Sequence, residues 1–154
     1  MKTRLAASKI MGFNRAHFPF PKDDGDYGRI GSTLIPFGLM VTAKDLARYG
    51  MVLSNHGIDP DTGEQLIDPT IVRIVTTLMM LCGMYDESGE YAVKVGLPSK
   101  SGVGGGIVAI SRKGVGIGTF GPMLNKKGNS VGGEKILQVL SRELGLHVFD
   151  LATF

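Results

Sequence analysis

The sequence predicts an α+β fold in which helices pack on a short antiparallel sheet. Three observations lead there. Two segments of helical period follow one another between Val41 and Leu81. Short apolar stretches rich in glycine, divided by a charged turn, occupy Tyr91 to Phe120. A final apolar stripe at helical spacing runs from Ser130 to Leu144. Helix, helix, strands, helix is the order of an α+β domain, not of alternating βαβ units.

Each element has a local reason. Residues 1–40 carry no periodic apolar face, and Pro19, Pro21 and Pro36 interrupt them, so a divergent, poorly ordered segment is expected there. From Val41 the pattern sharpens. Thr42 stands three residues before Asp45, a capping-box variant, and Ala43, Leu46, Ala47, Gly50, Met51 and Leu53 recur at helical spacing up to a stop at Gly57. Asp59 to Gly63 is a turn by composition. Asp68 followed by Pro69 predicts an N-cap with proline at the first helical position, opening a helix to about Leu81 with Gly83 as its stop. Tyr91, Val93 and Val95 alternate with Ala92 and Lys94, which predicts a strand. Val103 to Ile110 is predicted as an interior strand, and Val115 to Phe120 as its hairpin partner across Arg112-Lys113-Gly114. Ser130 then caps a last helix with Ile136, Leu137, Leu140 and Leu144 on one stripe and Gly145 at its end.

Composition narrows the function classes. The 154 residues suffice for a domain with a real core. Seventeen basic residues face 14 acidic ones, and the net charge of +3 is too small to argue for nucleic acid or a membrane surface. Glycine, at 23 residues, is about twice its usual share of roughly 7%, which suggests tight turns and close backbone approach. The lone Cys82 excludes an internal disulfide and suits a reducing compartment. No apolar run reaches the roughly 18 residues of a membrane span, and no h-region follows the basic N-terminus. A cytoplasmic protein is the simplest expectation.

The runs Cys82 to Gly89 (CGMYDESG) and Val95 to Ile107 (VGLPSKSGVGGGI) carry the functional signal. Together with Val41-Thr42, Asn55 to Leu66 (NHGIDPDTGEQL) and Gly128-Asn129-Ser130, they resemble the serine-dependent glutaminases, which share the fold of serine β-lactamases and penicillin-binding proteins. The resemblance runs almost unbroken from about Met40 to Phe149. It implies that residues 41–154 are the C-terminal part of a β-lactamase-like domain. It places Lys100-Ser101-Gly102 on a strand forming one wall of an active site, with Lys100 supplying positive charge and Gly102 admitting close approach. The backbone N–H of Val103 becomes one donor of an oxyanion hole, a kind of group whose loss costs about 3–4 kcal/mol. Tyr85 matches the family tyrosine near the nucleophilic serine, a substrate-binding and proton-shuttling position if a lysine is close. More faintly, Ser8 to Ala16 resembles a family stretch in which Asn14 would bind substrate, with Lys9 where a glutamate would hold the substrate ammonium.

Other readings of these residues compete. Without the family, Tyr85 is a half-buried packing residue and Ser99 to Gly102 a turn into a strand. Gly104 to Gly106 lacks the spacing and the Lys-Ser/Thr of a phosphate loop. His17, His56 and His147 have no metal-ligand spacing, and Cys82 is read as a helix-end packing residue. Gly128-Asn129-Ser130-Val131-Gly132 fits the nucleophile elbow of α/β-hydrolases. However, Asn125-Lys126-Lys127 interrupts any strand leading into it, and His147 precedes Asp150, the wrong order for that triad. Ser130 is better read as an N-cap.

The family activates its serine through Ser-x-x-Lys, one helical turn apart. None of the serines in this chain has lysine three residues later. The family places that motif N-terminal of the region matched here. Segment Thr33 to Met40 also departs from the family pattern, which has a tyrosine and a Cys-Ser pair there. The resemblance therefore implies hydrolysis of L-glutamine to glutamate and ammonia through an acyl-enzyme, with no metal or organic cofactor and a homo-oligomeric state. The competing expectation is a non-catalytic remnant that acts as an interaction module.

Overall fold

The computed structural model describes residues 41–150. In chain order these form helix α1 (Ala43–Ser54), helix α2 (Pro69–Cys82), a single 3-10 turn (Tyr85–Glu87), helix α3 (Ser88–Lys94), strands β1 (Ser99–Ser101), β2 (Gly106–Ser111) and β3 (Val115–Phe120), and helix α4 (Val131–Glu143). The sheet is antiparallel, ordered β1-β2-β3, with Ser101 opposite Ile107 and Ile107 opposite Thr119. The predicted α+β class is the observed one. The expectations for residues 1–40, Asn14 and Lys9 included, lie outside the described residues.

The central strand explains the layering. Ile107 and Ala109 face one way, into a core with Met84, Tyr91, Val95, Leu97, Leu137 and Leu146. Val108 and Ile110 face the other way, into a core with Leu53, Val72 and Met79. A strand buried on both faces reads as a continuous apolar run because neither set of alternating side chains meets water. The helices α1 and α2 thus cover one face, and α3 and α4 the other. On β3, a Cβ at Gly118 would lie 2.0 Å from Ala43 O, so only glycine lets α1 settle this closely on the strand.

The predicted caps are present. Thr42 Oγ1 accepts from Asp45 N at 3.2 Å while Asp45 Oδ2 accepts from Thr42 N at 2.8 Å. Asp68 Oδ1 accepts from Thr70 N at 2.7 Å, with Pro69 opening α2. Ser130 Oγ accepts from Gly133 N at 3.1 Å and is buried, so it is committed as a cap. The Asp59–Gly63 turn is held by Gly63 N donating to Asp59 O at 2.8 Å and by Arg48 against the buried Asp59 carboxylate at 2.9 Å. The Arg112–Gly114 turn links β2 to β3 as expected, with Gly114 in the left-handed region.

Four expectations need correction. Tyr91, Val93 and Val95 belong to α3 and its C-cap, not to a strand. Tyr91 and Val95 are buried at 5% and 2% exposure while Val93 is 80% exposed, which is the i, i+4 pattern of a helix and not the i, i+2 pattern of a strand. The interior strand begins at Gly106, not at Val103; Val103 and Gly104 form a turn closed by Gly105 N donating to Gly102 O at 2.9 Å. On α4 the buried stripe is Gly133, Leu137 and Ser141, and Ile136 and Leu144 are about half exposed, at 49% and 55%. Cys82 ends α2 as an exposed thiol.

Among the described residues, no helix is long and apolar enough to cross a membrane.

Candidate active site

The end of α2 and the edge strand β1 are brought together first. A Cβ at Gly83 would meet Ser99 O at 1.8 Å, and Gly83 O accepts from Ser101 N at 3.0 Å. The glycine therefore lets the turn after α2 lie directly on β1. The next residues hang over that strand. Tyr85 Oη donates to Ser101 O at 3.1 Å. Lys100 Nζ donates to the same carbonyl, and it lies 4.6 Å from the centroid of the Tyr85 ring. A phenol and an ammonium thus share one acceptor, and the cation also sits on the ring face.

Val103 completes the cluster from the turn after β1. It is 72% exposed, and its backbone N–H finds no partner among the described residues. Gly128 lies between the two groups: a Cβ there would lie 3.7 Å from Val103 Cγ1 and 3.8 Å from Tyr85 Cε2. A Cβ at Gly102 would meet only Gly106 O, at 3.9 Å, so packing does not require that glycine. Tyr85, Lys100, Gly102 and Val103 therefore adjoin one open surface at the sheet edge. Ser101 contributes its carbonyl to that surface, while its side chain is buried. The buried Tyr91 differs from Tyr85 in setting: its hydroxyl bonds Ser99 Oγ at 2.8 Å, and burial pushes its phenol well up.

Sequence reading missed the polar network beneath Tyr85. Glu87 Oε2 accepts from Asn129 Nδ2 at 2.5 Å and from Asn125 Nδ2 at 2.7 Å. Burial pushes the Glu87 carboxyl up, but the amides of Asn129 and Asn125 outweigh it and hold the group below the ordinary glutamate value. Its neighbour Glu134 is pushed up, first by burial and then by the negative charge of Glu87. A signal was present for part of this: Asn129 belongs to Gly128-Asn129-Ser130, although nothing in the chain order pairs it with Glu87.

This pair makes a testable statement about pH. A carboxyl whose folded pKa is raised is favourable below its unfolded value, near 4.5, and that contribution is lost as pH rises through the folded value. Glu134→Gln removes the charge that causes the loss. We expect it to stabilise the chain at pH 7 by up to about 1 kcal/mol, since partial exposure screens the effect. The gain should disappear below pH ~4. Urea melts of both proteins at pH 7 and pH 4 check it; equal stability at pH 7 would show that Glu134 carries no such strain.

The cavity of about 230 Å³ lined by Lys94, Gln138, Ser141, Arg142, His147 and Asp150 shares no residue with this cluster. Among the described residues, no group of three His, Cys, Asp or Glu side chains comes together to hold a metal.

An antiparallel sheet whose edge strand carries Lys100 and Ser101 and ends at Gly102, beside a tyrosine and between helical layers, is the architecture of the β-lactamase-like class. Comparison with known proteins narrows the class. Residues 37–149 match the family model described as glutaminase, and the chain belongs to that family. It is 55% identical over 109 residues to a glutaminase of Clostridioides difficile, covering 71% of this chain and 35% of that protein. To a glutaminase of Clostridium botulinum (strain Loch Maree) it is 52% identical, covering 71% of this chain and 36% of the relative. Among solved structures it is similar to a Bacillus subtilis glutaminase in covalent complex with 5-oxo-L-norleucine, at 39% identity and a TM-score of 0.69 over 71% of this chain and 40% of that one. The chain spans about a third of the length of the curated relatives it matches.

Proposed function

We propose that this chain supplies the C-terminal part of a glutaminase catalytic domain, one that hydrolyses L-glutamine to L-glutamate and ammonia through an acyl-enzyme. Residues 41–154 form that part, and residues 1–40 are a divergent segment. The observation that carries the reading is the shared acceptor: Tyr85 Oη and Lys100 Nζ both donate to Ser101 O, beside the Val103 N–H, which has no partner among the described residues. On this reading Tyr85 moves the proton between serine and leaving ammonia, and Lys100 supplies positive charge to the wall. Val103 N–H donates to the oxyanion, and Ser101 and Gly102 form the surface on which the side-chain amide lies. Asn14 contributes a substrate contact from the preceding segment. The chemistry needs no metal or organic cofactor, since serine, base and oxyanion donors suffice for amide hydrolysis.

Self-association and a cytoplasmic setting complete the proposal. The exposed stripe Ile71, Ile74, Leu78 and Leu81 on α2 and the free thiol of Cys82 support these readings.

The test is a chimera. Residues 37–149 replace the matching region of the Clostridioides difficile glutaminase, which carries the rest of a whole protein. Ammonia release from L-glutamine is expected, and Tyr85→Phe should lower kcat by about 10²–10⁴-fold. A chimera that folds like its parent but turns over no glutamine would favour the non-catalytic interaction module instead.

A further inference from the structure

Tyr85 holds a backbone conformation that needs support. Its φ is 54°, in the left-handed region, where the Cβ of a non-glycine residue crowds the following carbonyl. Such a conformation persists only where neighbours over-determine it. Part of the support is local. Met84 N donates to Ser88 Oγ at 3.0 Å, and Ser88 Oγ donates to Tyr85 O at 2.8 Å.

The rest comes from 45 residues away. Asn129, fully buried, donates from Nδ2 to Met84 O at 3.0 Å, the carbonyl of the peptide bond leading into Tyr85. The same Nδ2 donates to Glu87 Oε2 at 2.5 Å. Asn125 ties its own loop to that carboxylate at 2.7 Å, and its Oδ1 accepts from Lys127 N at 2.9 Å and Asn129 N at 3.0 Å. The loop held in this way is the one whose Gly128 sits against both the Tyr85 ring and Val103. Asn129 Oδ1 has no partner among the described residues, so the fold uses only the donor end of this amide.

We infer that Asn129, oriented by Glu87, is a positioning residue that sets the Tyr85 phenol against Lys100 and Ser101 of β1 and aligns it with Val103. The inference rests on the proposed role of Tyr85 for its catalytic meaning. Its structural content stands apart from that role. Aspartate is nearly the same size as asparagine but has no donor when ionised, and it would place a second negative charge on Glu87.

The chain itself is the test material. It has four tyrosines, Tyr27, Tyr49, Tyr85 and Tyr91, so 3-fluorotyrosine labelling places a fluorine signal on each, with Tyr85→Phe identifying the one that matters. In Asn129→Asp the Tyr85 signal is expected to move toward the position of the free amino acid, while those of Tyr49 and Tyr91 hold. Should Asn129→Asp fail to fold, Asn125→Ala loosens the same carboxylate more gently and is expected to move the Tyr85 signal alone. An unmoved Tyr85 signal in a folded Asn129→Asp protein would overturn the inference, as would equal movement of all three in Asn125→Ala. No turnover is needed for this readout. An inactive chimera with a displaced Tyr85 signal would therefore sink the glutaminase reading and keep this one, and an active chimera with an unmoved signal would do the reverse.

Discussion

The 154-residue chain by itself is expected to release no ammonia from L-glutamine at enzymatic rates, although it belongs to the glutaminase family. The described residues bring together a tyrosine, a lysine and a backbone donor, but none of the chain's serines has lysine three residues later. Serine enzymes stripped of their nucleophile keep roughly 10³–10⁴-fold catalysis over water from the oxyanion hole and binding alone. The loss in turnover from that cause alone is on the order of 10⁶-fold. Here it should be larger, because the chain spans only about a third of the length of the relatives it matches, and an isolated part supplies only part of a substrate pocket. Lost orientation can remove several further powers of ten. Lys9, at a position where the family resemblance expects a glutamate, would repel the substrate ammonium as well. The measurement is ammonia release at saturating glutamine from the purified chain, with Tyr85→Phe as control. Ordinary turnover abolished by Tyr85→Phe would mean that a serine outside any Ser-x-x-Lys motif, Ser101 or Ser130, acts as nucleophile. Both are buried, and Ser130 is engaged as a helix cap, which argues against that outcome.

Gly83→Ala should be the most destabilising single methyl in the chain's centre. The added Cβ would stand 1.8 Å from Ser99 O and 2.4 Å from Met79 O, both backbone atoms that no rotamer change can move. Relief requires lifting the end of α2 off β1, which breaks the 3.0 Å bond from Ser101 N to Gly83 O. We expect a loss of more than about 3 kcal/mol, at the upper end for overpacking, or failure to fold. Gly89→Ala is the control. That glycine lies inside α3, and its added methyl meets nothing within 4 Å, so alanine should stabilise by roughly 0.5–1 kcal/mol. Denaturant melts of the two variants separate the cases. A tolerated Gly83→Ala would show that the turn before Tyr85 can yield, and the site geometry built on it would lose its anchor.

What the sequence determined by itself is what its residues decide among near neighbours. Thr42 with Asp45, Asp68 with Pro69, and Ser130 each begin a helix because a side chain reaches a backbone N–H two or three residues on. Arg112 to Gly114 turns the chain because Gly114 tolerates a positive φ. The run Ile107 to Ile110 is interior because it is apolar on both alternating faces. The two motifs around Tyr85 and Lys100 carried the family in their residue order. Tertiary structure decided the rest. Five residues from Tyr91 to Val95 are too few to separate a period of two from a period of four, and burial against β2 and α4 chose the helix. The turn at Val103 was hidden because glycine-rich apolar sequence suits a strand and a tight turn alike. The meeting of Tyr85 and Lys100 at one carbonyl, and the bond from Asn129 to Met84, join residues 15 and 45 apart in the chain. Contacts of that span depend on how the sheet and helices close on one another, and no local pattern of side chains encodes them.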